Sequence, residues 1–283
     1  MSYVAKPQDG IAWVSSAGTG LGRALAMALA EEGWTVAVSG RSPVDLETLV
    51  AACAECPGKI APYPGDLTKG GIVAQIVKRI ESKQGPIALA ILLPSEDEAM
   101  ATGTLTRETL DHAHATGFVS VTNALIPLLP GMRQRGLGQI AVVSSVIGYG
   151  GLPDMRATGA AKAALINLAE SMQGDLATEG VRLQVIIPGP LGKPPESAGA
   201  WMRRAYLPYD EAASRVVVGL RNSARFEIAF PRRVVWPMKV VNLLPYPLYF
   251  ALTKFVRPKK PDARSRRVPR TSTARTAGPS DSD

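Results

Sequence analysis

Histidine and cysteine are nearly absent from this 283-residue chain, which holds two of each. The cysteines, Cys53 and Cys56, stand as a single C-x-x-C pair, and His112 and His114 lie far from them in sequence. A four-ligand zinc site is therefore excluded, and no metal is expected. The pair reads as a redox couple, half a metal site, or two small residues on one helix face; the last is the preferred reading. The N-terminus lacks an unbroken apolar run, because Lys6 to Gly10 interrupts it, so no signal peptide is expected and the cytoplasm is the default location. Charge of one sign is also missing from most of the chain. The net charge is +8, but the eight Lys/Arg and three Asp from Arg257 onward give that tail +5, leaving +3 for residues 1–256. Specific nucleic-acid binding is not expected from so small an excess.

What is present is a core. Hydrophobic residues make up 46% of the chain, and an α/β sheet of about 250 residues can form one domain. The stretch around which the rest is organised runs from Ile11 to Ala30. Ile11 to Val14 reads as a buried strand. Gly18, Gly20 and Gly22 then fall within five residues, and Arg23 to Ala30 is rich in helix formers. Strand, glycine turn and helix form the context in which backbone N–H groups can approach a pyrophosphate at a helix N-terminus.

Apolar runs then alternate with helical patterns. Further strands are expected at 35–39, 60–63, 88–93, 139–144 and 182–187. Helices are expected at 22–32, 43–56, 71–84, 107–129, 157–179 and 211–220. Strands separated by such helices predict a parallel, doubly wound sheet with right-handed crossovers. Ligands of such sheets bind beyond the carboxyl ends of the strands. Gly40-Arg41, Asp66, Leu92 to Ser95, Ser145 and Pro188-Gly189-Pro190 would all lie there. An arginine at the end of the second strand can pair with a ribose 2′-phosphate, whereas a carboxylate would favour the free ribose; Arg41 thus favours NADP over NAD.

Taken together, these residues resemble the short-chain dehydrogenase/reductase family over about residues 10–190. The matching pieces, in family order, are the turn Ser15–Gly22, Asp66-Leu67 after the third strand, and the helix around Gly117. Ile140–Ser145 with Gly148, Lys162, and the Pro188-Gly189-Pro190 turn complete them. The resemblance implies a Rossmann-type sheet with helices on both faces and an NAD(P)-dependent alcohol/carbonyl oxidoreductase, with a small-molecule substrate and a homo-oligomeric assembly. It places Ser16, Gly18, Thr19, Gly20, Leu21, Gly22, Arg41, Asp66, Leu67, Lys162, Pro188 and Gly189 around the cofactor. In the family the Asp after the third strand contacts the adenine, the Ser holds the substrate carbonyl, and the Lys binds the nicotinamide ribose. Those roles fall to Asp66, Ser145 and Lys162.

Four departures alter the expectation. Ser16 takes the place of the first glycine of the family turn. Leu92-Leu93-Pro94-Ser95 replaces an Asn-Asn-Ala-Gly run, which predicts apolar groups where amides tie the central sheet. His114 stands where the family has an Asn that holds a relay water. Thr158, four residues before Lys162, stands where the family has its proton-transferring Tyr. A phenol with a pKa near 10 can be lowered toward neutrality, but an aliphatic hydroxyl cannot serve as that acid. The threonine side chain is also about 5 Å shorter. Tyr149, in the loop after Ser145, and His114, an imidazole at the relay position, are candidate replacements. The expectation is an NADP(H)-dependent oxidoreductase with a degenerate active site. The alternative is a catalytically inactive member of the same fold serving as a nucleotide sensor or partner subunit. A Ser145–Lys162 hydrolase dyad finds no support in the glycine turn.

Three regions are expected: 1–224 as the dinucleotide-binding and catalytic domain, 225–256 as an edge strand with an apolar helical extension, and 257–283 as a basic disordered tail. Lys239, Asn242, Pro245 and Pro247 make Met238–Val256 a poor membrane span. The extension could cap the substrate pocket, contact a second subunit, or lie on a membrane surface together with the basic tail. The first two roles are preferred.

Overall fold

The structure, a computed structural model, describes residues 3–95, 105–196, 198–222 and 225–254. Seven strands form its sheet: β1 (Ile11–Val14), β2 (Thr35–Val38), β3 (Lys59–Pro62), β4 (Ile87–Leu92), β5 (Gly138–Val143), β6 (Val181–Pro188) and β7 (Glu227–Phe230). All pair in parallel, in the order β3-β2-β1-β4-β5-β6-β7. Strand order reverses between β1 and β4, which fixes the ligand crevice at their carboxyl ends. Near-continuous apolar runs such as β4 and β5 suit strands covered on both faces, and every residue of both is buried.

The pleat divides the core. Ile11 and Trp13 face α3 (Gly70–Gln84), α5 (Ser120–Arg135) and α6 (Arg156–Thr178), while Ala12 and Val14 face α1 (Gly20–Glu31), α2 (Pro43–Ala52) and α8 (Tyr209–Arg221). Each fully buried leucine or isoleucine contributes about 1.5–3 kcal/mol through burial. Truncating Leu25 of α1, which is fully buried, would therefore cost about 2–5 kcal/mol. The doubly wound parallel sheet expected from the pattern is the fold observed.

Three local expectations are corrected. First, the helix expected to run through Cys56 stops at Ala52, and Cys53 and Cys56 are joined by a disulfide with Cα atoms 5.1 Å apart. The chain has to leave the helix there because Gly58 passes under Trp34: a Cβ on Gly58 would lie 2.1 Å from the Trp34 carbonyl oxygen. The two sulfurs meet in that turn and do not lie along one helix face. Second, the helix expected at 107–129 continues to Arg135, but a π-helical turn (Ala115–Val119) separates α4 (Arg107–His114) from α5. Its cause is local. Thr116 Oγ1 donates to the His112 carbonyl, and Ser120 Oγ donates to the Thr116 carbonyl, so hydroxyls compete with the helical ladder. By length and composition the run Arg107–Arg135 could cross a membrane, yet Val121, Ala124, Leu125, Leu128 and Met132 build the core against the sheet. Third, a short helix α7 (Ala200–Ala205) appears where none is expected.

The edge strand read at the C-terminal end is observed as β7, which pairs with β6 and ends at a cis Phe230–Pro231 bond. It leads into α9 (Arg232–Asn242) and α10 (Tyr246–Thr253). The basic tail 257–283 lies outside the described residues.

Candidate active site

The crevice begins where β1 ends. Ser15 and Ser16 occupy the turn, and Ser16 takes a positive φ of 50°. A left-handed conformation is natural for glycine and strained for serine. The Ser16 hydroxyl offsets that strain by donating to the Leu93 carbonyl (3.1 Å) and pairing with the Ser95 hydroxyl (3.0 Å). Beside it, Ser15 Oγ accepts from the Leu93 amide (2.7 Å) and donates to the Leu93 carbonyl (3.1 Å). The Ser95 amide donates to the Thr116 carbonyl in the π turn. The expected loss of the central tie is therefore corrected: Leu92 and Leu93 are buried in the core, and the hydroxyls of Ser15 and Ser16, in the turn after β1, take over the polar link between the ends of β1 and β4.

The turn then delivers the chain to the N-terminus of α1. Gly20 adopts a φ of 55°. Gly22 packs so closely under the turn that a Cβ would lie 2.4 Å from the Ser16 carbonyl oxygen. Thr19 caps α1 with extended backbone but no side-chain hydrogen bond, so the amides of the first turn are not consumed by their own cap. Leu21 is a buried core residue, and Gly18 leans on Asp45. Free amides at the positive end of a helix, reached by a glycine turn, form a cradle for an anion.

The ends of β2 and β3 lie alongside. Arg41 is exposed just after β2, and Ser42 caps α2 by accepting from the Asp45 amide. Asp66 accepts from the Thr68 hydroxyl (2.7 Å) and amide (3.0 Å). These bonds, chiefly the hydroxyl, hold its carboxyl below the usual range, with Lys69 and Arg41 adding positive field. Leu67 is fully buried, and its carbonyl accepts from Asn123 of α5. Asn123 anchors the Asp66 loop, and nothing in its sequence surroundings marks it.

At the end of β5, Ser144 and Ser145 introduce a 3-10 turn (Val146–Gly148) that packs on α6. Ser144 Oγ donates to the Lys162 carbonyl (2.8 Å). A Cβ on Gly148 would lie 2.9 Å from the Lys162 backbone, so only glycine lets the turn approach this closely. Ser145 Oγ accepts from the Ile147 amide. Thr158 and Lys162, one helical turn apart on α6, share a face and are both buried, at 9% and 6% exposure. Ser144, the neighbour of Ser145, thus ties the end of β5 to α6 at Lys162. At the end of β6, the Gly189 amide donates to the Phe230 carbonyl, which fixes the Pro188-Gly189 turn.

Tyr149 and His114 are directed elsewhere. The Tyr149 ring lies under Lys239, whose Nζ is 5.3 Å from the ring centroid and also bonds Glu227 of β7. Burial, followed by the Glu227 carboxylate, pushes the Tyr149 phenol well above its usual 10. Its hydroxyl is buried with no hydrogen bond among the described residues. The His114 ring is exposed and stacks on Phe118 at 5.5 Å. One aromatic that sequence reasoning missed is Tyr209, the first residue of α8. Its ring stands 3.5 Å from a Cβ built on Gly20, and its hydroxyl 2.9 Å from one built on Gly192. It closes the gap between the glycine turn and the segment after β6. As the first residue of its helix it falls outside any periodic pattern.

Comparison with known proteins follows this geometry. A family model of the short chain dehydrogenases matches residues 10–197, and the chain belongs to that family. An uncharacterized oxidoreductase of Myxococcus xanthus is 29% identical over 252 residues, covering 87% of this chain and 97% of its own. The crystal structure of a short-chain dehydrogenase from Streptomyces avermitilis superposes with a TM-score of 0.70 at 21% identity, covering 87% of this chain and 96% of its own. An NADPH-bound short chain oxidoreductase of Pseudomonas aeruginosa, described as containing an atypical catalytic center, gives a TM-score of 0.67 at 22% identity over 78% of this chain and 95% of its own.

Proposed function

We infer that this chain, as a member of the short chain dehydrogenase family, is an NADP(H)-dependent oxidoreductase of an alcohol or carbonyl substrate with a degenerate proton-transfer site. The observation that carries the reading is the buried Lys162, packed through its own backbone against the Ser144–Gly148 turn at the carboxyl end of β5, in a sheet whose glycine turn leaves the first amides of α1 open. The cradle fits a dinucleotide. Gly22 lets the turn fold close to the α1 amides, Asp66 offers an ionised acceptor, and exposed Arg41 can meet a 2′-phosphate. When bound, the nicotinamide supplies the hydride. Lys162 would orient the adjoining ribose through its ammonium, and Ser145 would hold the substrate oxygen. Thr158 can hydrogen-bond in this site but is too weak an acid to deliver a proton as a phenol would. The substrate is then a small molecule, the assembly a homo-oligomer, and the location the cytoplasm.

A second reading rests on Tyr149 and His114. With the phenol buried beside Glu227 and the imidazole stacked outside on Phe118, neither is placed as a substitute acid. A protein that binds nucleotide without turning substrate over, as a sensor or partner subunit, fits that arrangement. Titration with NADPH and NADH, following nicotinamide emission and tryptophan quenching, tests the shared premise. Micromolar NADPH binding that weakens in Arg41→Ala supports it. No binding of either nucleotide refutes both readings. Reductase activity on a carbonyl panel, present or absent in the nucleotide-binding protein, then separates them.

A further inference from the structure

The two C-terminal helices use only one side of themselves for packing. Val234, Val235, Tyr249 and Thr253 are buried, and Tyr249 donates its hydroxyl to the Gly151 carbonyl at 2.8 Å. The other side carries Trp236, Leu243, Tyr246, Leu248, Phe250 and Leu252, with Leu243 84% exposed, Tyr246 75% and Trp236 64%. Scattered apolar residues on a surface need no explanation, but six large exposed ones within seventeen positions of two successive helices exceed ordinary scatter. The charged side chains that α9 and α10 themselves carry are all basic, although Lys239 is paired with Glu227 of β7. From Ile228 to Pro261 the chain holds seven Lys/Arg and no Asp or Glu. Arg232 and Arg233 are exposed on the first turn of α9, and Lys254 is exposed just after α10. Beyond the described residues, the sequence from Arg257 onward adds the +5 of the tail.

We propose that α9 and α10 dock this protein peripherally on an anionic lipid bilayer, the aromatic and leucine side entering the headgroup boundary and the flanking arginines and lysines meeting acidic headgroups. A second protein copy fits less well, because a two-fold contact would bring one all-basic segment against another. Spanning is not involved, since α9 and α10 are short and are separated at Pro245. Interfacial attachment needs what is present: exposed apolar area, ring side chains at the boundary, and neighbouring cations. The attachment reaches the candidate active site through Tyr249, which bonds Gly151 in the loop that follows Ser145. The docking itself does not depend on which reaction, if any, occurs there.

The test is co-sedimentation of the full-length protein with vesicles of phosphatidylcholine alone and of phosphatidylcholine mixed with phosphatidylglycerol. The expected result is binding to the phosphatidylglycerol vesicles that weakens with salt, and little binding to neutral ones. Leu243→Asp and Leu248→Asp remove exposed side chains and should keep the melting temperature while lowering vesicle affinity at least about tenfold. Arg232→Gln combined with Arg233→Gln should lower it by about fivefold per charge. Failure to bind anionic vesicles overturns the proposal, as does equal binding to neutral ones. Unchanged binding in the aspartate variants would assign any attachment to the basic tail and also overturn it. Loss of a dimer on light scattering in those variants, without loss of vesicle binding, would show that a second copy covers the face.

Discussion

Ser16 separates two energies that normally cannot be told apart at a turn. Its left-handed backbone costs about 1–2 kcal/mol for any residue with a Cβ. Its hydroxyl makes two hydrogen bonds, to the Leu93 carbonyl and with the Ser95 hydroxyl, each contributing about 0.5–1.5 kcal/mol. Ser16→Ala keeps the strain and loses both bonds, although the Leu93 carbonyl retains Ser15. It should destabilise by about 1–2 kcal/mol. Ser16→Gly loses the same bonds and relieves the strain, but returns about 0.5–1 kcal/mol through the greater freedom of the unfolded glycine. The glycine variant should therefore fall between wild type and Ser16→Ala. For a chain of this size each kcal/mol moves the melting temperature by about 2–4 °C, so scanning calorimetry resolves the order. If Ser16→Ala melts with wild type and Ser16→Gly melts several degrees above it, the hydroxyl contributes nothing and the compensation argued here is wrong.

Thr158→Tyr should raise reductase turnover on generic carbonyls by about 10²–10⁴ if the missing phenol is the main defect, and steady-state NADPH oxidation checks this. Arg41→Ala should weaken NADPH by about ten- to a hundredfold and leave NADH nearly unchanged, read by fluorescence titration. Tyr149→Phe should leave any turnover intact, because the hydroxyl it removes is buried and raised in pKa while the ring keeps its contact with Lys239; loss of activity would make Tyr149 the donor after all. The Asp66 carboxyl is lowered by Thr68, so its contribution to stability is present above the ordinary value of 3.8 and fades as pH falls through the lowered one. Thr68→Val should accordingly lose stability at neutral pH and converge with wild type in strong acid, as followed by urea unfolding at several pH values.

Periodicity and composition made the sheet legible. β1 is bounded at Ile11 and Val14 from sequence and β2 to β6 to within a residue, because buried parallel strands are short apolar runs flanked by glycine, proline or a helix, whereas the edge strand read from Arg225 is the shorter Glu227–Phe230. The elements that escaped rest on signals that apolar periodicity does not carry. The break after Ala52 accompanies Gly58 passing beneath Trp34, and the π turn accompanies local bonds from the Thr116 and Ser120 hydroxyls to helix carbonyls. The same division holds in the site. Thr158 and Lys162 share a helix face because the helix repeat fixes their spacing. Tyr209 and Asn123 could not be placed so, since each acts across more than fifty residues of chain on a backbone group that carries no side-chain signature.

The serines at the crevice suggest how a turn with a lost glycine stays usable. Substituting Ser16 alone would strain the cradle, and substituting the polar run after β4 alone would leave the ends of β1 and β4 without a polar link. Occurring together, the two changes answer each other: the hydroxyls in the turn after β1 bind the Leu93 backbone and Ser95, and Ser95 in turn binds the π turn. The departures on the nucleotide side are thus compensated by named bonds. At Thr158 no such bond restores a phenol, and the two side chains that could have supplied a proton are held by Lys239 and by Phe118. On the function proposed above, compensation on one side of the crevice and none on the other is the pattern expected where nucleotide binding is kept and proton transfer is changed. Nucleotide affinity should therefore survive substitutions at position 158 that alter turnover by orders of magnitude.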